Sequence, residues 1–459
     1  MIKDVAISRV TWVSAGAGGA LEETVKNAFT LALGEGSAAN VSLGYLNGTL
    51  TTSGDKVYQI TNTGGPKINL NGVYNSGETL PSGNLNYRGD IWMDISGGAF
   101  GIISGGVTNE WSTNLQTSTL TGDTHVQLSE NATAEHVIGG NNKGASTTLT
   151  GNTNVTVKDN AIVAGAIIGG STSAHNAVTT ITGNTSVLVT NVQYSNTAQN
   201  LDGGLSNSYI IGGSSWSSNT TSGTTIQGST SATINLNGIT LSGTEEHNSF
   251  VKTIIGGSYG NVNNAGTVNN INGDTSVSII GREGITFTGD IIGGSFENSG
   301  QAQYTIGGKS SISISGGSTF TGNIYGGSYS KVPGNTGSTM TTAGNITVEL
   351  GTGTYRGNIY GAGNKGTAGG DVLVSLTGGS VFGAEGEQSG ITIGGSAGAA
   401  VEGNRTLELK GTFGDGDFQN VTFTRFDEIN IAQEGSSATI WALTDSPSLT
   451  KTGAGTLTL

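Results

Sequence analysis

Apolar residues recur along this chain in two phases. In the first, a Gly opens a strand of strict alternation: Gly122-Asp123-Thr124-His125-Val126-Gln127-Leu128, Gly151-Asn152-Thr153-Asn154-Val155-Thr156-Val157, Gly183-Asn184-Thr185-Ser186-Val187-Leu188-Val189, with later copies at Gly273 and Gly344. Successive strand residues face opposite sides. One face therefore gathers Thr, Val, Ile and Leu, while the other gathers mostly His, Gln, Asn, Thr, Ser and Glu. The second phase is Ile-Ile-Gly-Gly-Ser, at Ile167–Ser171, Ile210–Ser214, Ile254–Ser258 and Ile291–Ser295, with Ile324-Tyr325-Gly326-Gly327-Ser328 as a variant. Weaker copies are Val137-Ile138-Gly139-Gly140, Ile359-Tyr360-Gly361 and Ile393-Gly394-Gly395-Ser396; its first Gly returns at steps of 30 to 44 residues. That spacing belongs to a repeat architecture. A third short piece, such as Ile285-Thr286-Phe287-Thr288-Gly289, often lies between the two phases. Three short strands joined by Gly-rich corners describe one coil of a parallel β-helix, an all-β solenoid. The strand-opening glycines at 89, 122, 151, 183, 228, 273, 307, 344, 369 and 403 count about ten coils.

The periodicity divides the chain into 1–88, 89–411 and 412–459. In the first stretch Val5 to Val13 predicts a strand. Leu21, Val25, Ala28, Phe29 and Ala32 fall at helical spacing, which predicts one capping helix. A cap would shield the open strand edge of the first coil. Steps of 45 residues, from Gly183 to Gly228 and from Gly228 to Gly273, mark two longer units. Their surplus runs over about 190–208 and 237–252, ahead of the isoleucine phase. Insertions at one phase of a repeat array are expected to share a face and to bind partners.

Composition narrows the function classes. Gly supplies 80 of 459 residues and charged residues are 11%, a text that resembles disorder until the fixed phases of Val and Ile are considered. A net charge of −14 argues against nucleic acid, which needs a basic stripe, and against docking on anionic lipid. Zero cysteines exclude thiol chemistry and Cys-ligated metals. No apolar run reaches the ~18 residues of a membrane helix. The start, Met1-Ile2-Lys3-Asp4-Val5, lacks an apolar core of signal-peptide length, so a segment of a longer protein is expected.

The final stretch carries a family signature. Leu449-Thr450-Lys451-Thr452-Gly453-Ala454-Gly455-Thr456-Leu457-Thr458-Leu459 resembles the autotransporter-associated β-strand repeat, Leu-x-Lys-x-Gly-x-Gly-Thr-Leu-x-Leu, at every fixed position. Phe426–Ile431 and Ala438–Leu443 are similar to strands that lead into that repeat. The resemblance implies a secreted passenger of an outer-membrane autotransporter, folded as a right-handed β-helix and displayed at the cell surface. It also implies a membrane barrel downstream of this segment, which itself would not insert.

Several constellations have a chemical reading. Tyr259, Phe296 and Tyr329 follow Gly-Gly-Ser in three consecutive units, with Trp216 one position off in the unit before. In register they form an aromatic ladder, either a platform for sugar rings or glue between coils. Asp202, Glu245, Glu246 and His247 lie in the two insertions and are the one concentration of acid–base residues there; a carbohydrate-active enzyme would draw on them. Adjacent polar residues of this kind more often form a solvated loop tip. Arg88-Gly89-Asp90 spells an integrin-binding tripeptide, but Gly89-Asp90 occupies the strand-opening phase of Gly122-Asp123. Asp415-Gly416-Asp417 is a single copy of a pattern that binds calcium only in tandem. The four histidines lack metal-site spacing, so no metal or cofactor is expected. The outward face of the alternating strand, with His125, Gln127, Leu188, Glu349 and Glu408, is too irregular to match ice. The expectation is a structural or adhesive passenger contacting glycan or a host receptor without catalysis. A polysaccharide lyase or glycosidase, and a spacer with no ligand, are the alternatives.

Overall fold

The computed structural model describes residues 7–12, 27–33, 56–62, 68–72, 85–106, 117–142, 147–173, 178–191, 209–217, 223–237, 249–250, 252–261, 267–298, 302–332, 339–383 and 390–459. Every regular element among them is a β-strand. The chain forms two compact units, Met1–Thr230 with Gly266–Val268, and Ser231–Ala265 with Asn269–Leu459.

In the first unit, the alternating strands pair in parallel from coil to coil. Lys56–Asn62, Ile91–Ser96, Thr124–Ser129, Thr153–Val157 and Thr185–Thr190 lie side by side. Like residues face like: Val126, Val155 and Val187 are in register, as are Thr124, Thr153 and Thr185. The isoleucine phase builds a second sheet from Ala99–Ser104, Thr133–Ile138, Ile167–Ile168 and Tyr209–Ile211. A third sheet, absent from the sequence expectation, runs through Leu85–Arg88, Ser118–Thr121, Thr147–Thr150, Val178–Ile181 and Gly223–Ile226. Its inward residues Leu120, Leu149, Ile181 and Ile226 are all buried.

The helix expected near the start is not formed where the structure describes it. Asn27–Leu33 is a strand, antiparallel to Ile7–Trp12 and parallel to Lys56–Asn62. Leu21 and Val25 lie outside the described residues. The segment Asn-Ala-Phe-Thr-Leu-Ala-Leu also has the β-branched and aromatic content of a strand, and pairing with neighbouring strands overrides a weak helical period.

The second unit repeats the plan with five strands in the coils that begin at Thr275 and Ser310, and four in those that begin at Ile346 and Val372, rather than three. Thr275–Ile280, Ser310–Ser315, Ile346–Leu350, Val372–Thr377 and Arg405–Lys410 form the alternating sheet. Thr253–Ile255, Ile291–Ile292, Ile324–Tyr325, Ile359–Ala362 and Ile391–Ser396 form the isoleucine sheet. Two-residue strands at Thr286–Phe287, Thr319–Phe320 and Thr354–Tyr355 turn one corner, and Tyr259–Asn261, Phe296–Glu297 and Tyr329–Ser330 turn another. Gln303–Ile306 and Thr339–Thr342 complete the circuit. The family-like ending adds strands to this stack: Thr450–Thr452 extends the alternating sheet beyond Glu428–Asn430, and Thr456–Thr458 pairs with Ser437–Thr439. The fold is a parallel β-helix.

Side-chain ladders fasten the coils. The Asx residues after Gly89, Gly122 and Gly151 each accept the backbone N–H of the counterpart one coil later. Asp123 N–H donates to Asp90 Oδ1 (2.8 Å), Asn152 N–H to Asp123 Oδ1 (2.7 Å), and Asn184 N–H to Asn152 Oδ1 (2.9 Å). The same device stands before the isoleucine strand in the second unit, where Asn323, Asn358 and Thr392 N–H groups donate in turn to Asp290, Asn323 and Asn358. The Ser of Gly-Gly-Ser runs the opposite way: Ser258 N–H donates to Ser295 Oγ and Ser295 N–H to Ser328 Oγ. Each bond contributes about 1 kcal/mol and recurs with the repeat.

Two glycines show why Gly is retained. A Cβ on Gly293 would stand 2.3 Å from the Gly326 carbonyl oxygen of the next coil. The pair Gly-Gly is therefore a close-approach device between stacked coils, beyond the corner-turning role that its spacing implies. Gly122 adopts φ +139°, and a Cβ there would lie 2.1 Å from the Gly89 oxygen. Both conditions exclude a side chain.

Candidate functional site

The aromatic ladder after Gly-Gly-Ser forms in the second unit, and most of it is enclosed. Tyr259 and Phe296 are 1% and 2% exposed, and Tyr329 is half-buried. Tyr259 and Phe296 are tilted with centroids 5.5 Å apart, and Phe296 stacks on Tyr329 at 5.8 Å. The first two rings thus act as glue between coils, not as a platform. Trp216 stands in the equivalent strand of the first unit, Ser215–Ser217, which pairs with Thr172–Ser173.

Two tyrosines outside the expected ladder extend it outward. Tyr325 stacks on Tyr329 at 4.2 Å and on Tyr360 at 5.6 Å, with ring planes 20° and 16° apart. Both occupy the second-isoleucine position, since Ile292, Tyr325 and Tyr360 are in register. The signal was present as Ile-Tyr-Gly replacing Ile-Ile-Gly in consecutive units. Burial and the neighbouring Tyr329 and Asp290 push the Tyr325 phenol well up, so it stays protonated and can donate a hydrogen bond. The exposed Lys331 ammonium lies 5.4 Å from the Phe296 ring centroid. Tyr329, Tyr360 and Lys331 therefore make a partly open patch over the buried Tyr325 ring that stacks with both tyrosines.

A second ring stack, inside the coil, escaped sequence reading. Phe250, Phe287, Phe320, Tyr355, Phe382 and Phe418 follow one another at 4.7 to 5.6 Å, all buried. Five of the rings come from two-residue strands and Phe418 from a turn, too short for any local period.

Glu297 is the most unusual titratable residue described. It is 0% exposed, its carboxylate lying beside the Tyr304 hydroxyl. Burial pushes its carboxyl up to about 7, against the opposing influence of the Tyr304 hydroxyl and the Lys365 ammonium. Lys365 Nζ is itself buried without a hydrogen bond. Lys252, which closes the second insertion, is 4% exposed, and burial pushes its ammonium down to about 7. A carboxylic acid poised near neutrality is acid–base chemistry in principle, yet an enclosed Glu297 is out of reach of a polymer.

The other candidates resolve into structural contacts or lie elsewhere. Asp202, Glu245, Glu246 and His247 lie outside the described residues, as does His175. His136 is buried, its Nδ1 accepting the Ala166 N–H at 2.9 Å. Asp90 of Arg88-Gly89-Asp90 is the first described member of the Asx ladder. Asp415 Oδ1 accepts from Thr439 and Asp417 Oδ2 from the Gly414 N–H, a local turn. Among the described residues no group of three His, Asp or Glu could hold a metal, and no helix is long and apolar enough to cross a membrane.

Comparison with protein-family models, with curated proteins and with solved structures finds no match for the chain.

Proposed function

We propose that the chain is a rigid β-helical part of a secreted or cell-surface protein, an autotransporter-type passenger that contacts glycan or a host receptor and performs no catalysis itself. One observation carries this reading: the polar side chains that recur with the repeat are committed to bonds between coils. The Asx, Ser and Thr positions that could have built a reaction centre instead tie coil to coil, as with Ser104 Oγ donating to the Gly140 carbonyl at 2.7 Å. In the second unit Tyr329 and Tyr360 keep surface open to a partner, and their rings and hydroxyls suit the apolar face and polar rim of a sugar. The resemblance of 449–459 to the autotransporter-associated repeat supports display outside the cell.

A polysaccharide-degrading enzyme is the rival reading, favoured by the raised carboxyl of Glu297 and opposed by its enclosure. A panel of polysaccharides assayed for new reducing ends or unsaturated products separates the two. The passenger reading expects no turnover, and glycan binding that weakens in Tyr329→Ala with Tyr360→Ala. Turnover that disappears in Glu297→Gln would overturn it. Digestion by protease added to intact cells tests the surface location.

A further inference from the structure

On the first unit, the outer face of the alternating strands carries side chains coupled across four coils. Trp92 and His125 stack with centroids 3.6 Å apart and planes 10° apart. His125 Nδ1 lies 3.4 Å from Asn154 Nδ2, and Asn154 Oδ1 accepts the Ser186 hydroxyl at 2.7 Å. Two residues along the strand, Gln127 Nε2 donates to Asp94 Oδ1 at 2.8 Å. Two residues back stand Asp90 and Asp123, whose charges act on the His125 ring. These contacts fix the rotamers of the row before any partner arrives, which lowers the cost of binding.

Within this ordered row Trp92 stays 46% exposed. An indole left this open contributes little to the fold and offers a large apolar surface with a polar edge. The strands that carry the row have charge of one sign. Strands Ile91–Ser96, Thr124–Ser129 and Thr153–Val157 contain no Lys or Arg, while Asp90, Asp94 and Asp123 are all partly exposed. An aromatic ring flanked by carboxylates attracts a cation on an apolar frame. Asn154 and Gln127, held by their neighbours, supply hydrogen bonds to hydroxyls.

We infer that this face binds a cationic glycan, a chain of amino sugars with free ammonium groups. One pyranose ring lies against Trp92, and its ammonium is held by Asp94 on one side and by Asp90 and Asp123 on the other. The site goes beyond the glycan contact proposed for the tyrosine patch. It lies on a different unit, uses none of the same residues and commits to a charged sugar.

Calorimetric titration of the full chain tests the inference at mildly acidic pH, where free amines carry their protons. The probes are a glucosamine oligosaccharide, its fully N-acetylated counterpart and an oligolysine of equal charge. The glucosamine oligomer is expected to bind, and the N-acetylated one to bind at least about tenfold more weakly. Trp92→Ala and Asp94→Asn should each weaken binding by about tenfold, a loss of about 1.4 kcal/mol. Glu283→Gln, which removes the same charge from an exposed position in the second unit, should leave it unchanged. Equal losses in Asp94→Asn and Glu283→Gln would reduce the effect to net charge and overturn the site. So would unaltered binding in a Trp92→Ala protein with native circular dichroism, or tighter, Trp92-dependent binding of oligolysine. Binding of the glucosamine oligomer that is lost in Tyr329→Ala with Tyr360→Ala would place it on the tyrosine patch and would likewise overturn the inference.

Discussion

Replacing Glu297 by Gln should make the second unit more stable at alkaline pH and leave it nearly unchanged in acid. Gln keeps the shape of the side chain but cannot ionise. In the wild type the carboxyl moves from an ordinary 4.5 up to about 7, because burial disfavours the charged form. The sign follows from linkage. The fold holds the proton more tightly than the unfolded chain does, so the stability contributed by the protonated carboxyl is fully present below about 4.5. It drains away as the pH rises to about 7. A displacement of roughly 2.5 pKa units corresponds to about 3 kcal/mol at 1.36 kcal/mol per unit. Because Glu297 is fully enclosed, solvent screening removes little of this. Lys365 tempers the gain, since its ammonium would lose the opposite charge of Glu297. Urea unfolding of wild type and variant at matched pH values from 4 to 9 reads the difference. Repeat arrays depart from two-state behaviour, so the quantity to compare is the shift between the two midpoints at each pH. Carbon-13 titration of the Glu297 carboxyl supplies an independent reading. A midpoint difference that is constant across the pH range, or a variant less stable than wild type above pH 7, would refute the reasoning.

The remaining expectations concern other parts of the stack. Gly293→Ala should destabilise by about 1–3 kcal/mol through overpacking against Gly326, read as a lower thermal midpoint. Phe320→Ala, in the middle of the internal ring stack, should cost about 3–5 kcal/mol and expose neighbouring coils to proteolysis. Asp123→Ala removes an acceptor for the Asn152 N–H and for the Asn152 side chain and should cost about 1–2 kcal/mol, whereas Asp123→Asn should be almost neutral. For Lys252, whose ammonium is pushed down to about 7, the sign is opposite to that of Glu297. Its neutral form suits the fold, so stability falls as the pH drops from about 10.5 towards 7, and Lys252→Met should flatten that slope.

Much of this molecule is legible in its sequence. Strict alternation at Val155, Val187 and Val277, with Gly-Asx before each strand, announced parallel stacking because identical residues can be in register only when equivalent strands lie side by side. The third sheet was harder. Its inward positions, Leu120, Leu149, Ile181 and Ile226, are single apolar residues two or three places before the next strand-opening Gly, without room for a period of their own. The inner ring stack shares that difficulty, since Phe287 and Phe320 are neighbours only after a whole coil has closed. The candidate site was legible in composition but not in exposure. At a corner, consecutive residues such as Phe296 and Glu297 are both buried, so alternation no longer separates inside from outside.

The sequence by itself determined the repeat, the strand faces and the places where only Gly or Asx fits, because these depend on local backbone conformation and on spacing. The tertiary structure decided which polar groups remain for a partner. Tyr259 and Phe296 became glue, Asp90 became a ladder rung, and Tyr329, Tyr360 and Trp92 emerged as rings with open surface. Burial and pairing are set by the adjoining coils, some thirty residues away in either direction, and no local pattern encodes what those coils will cover.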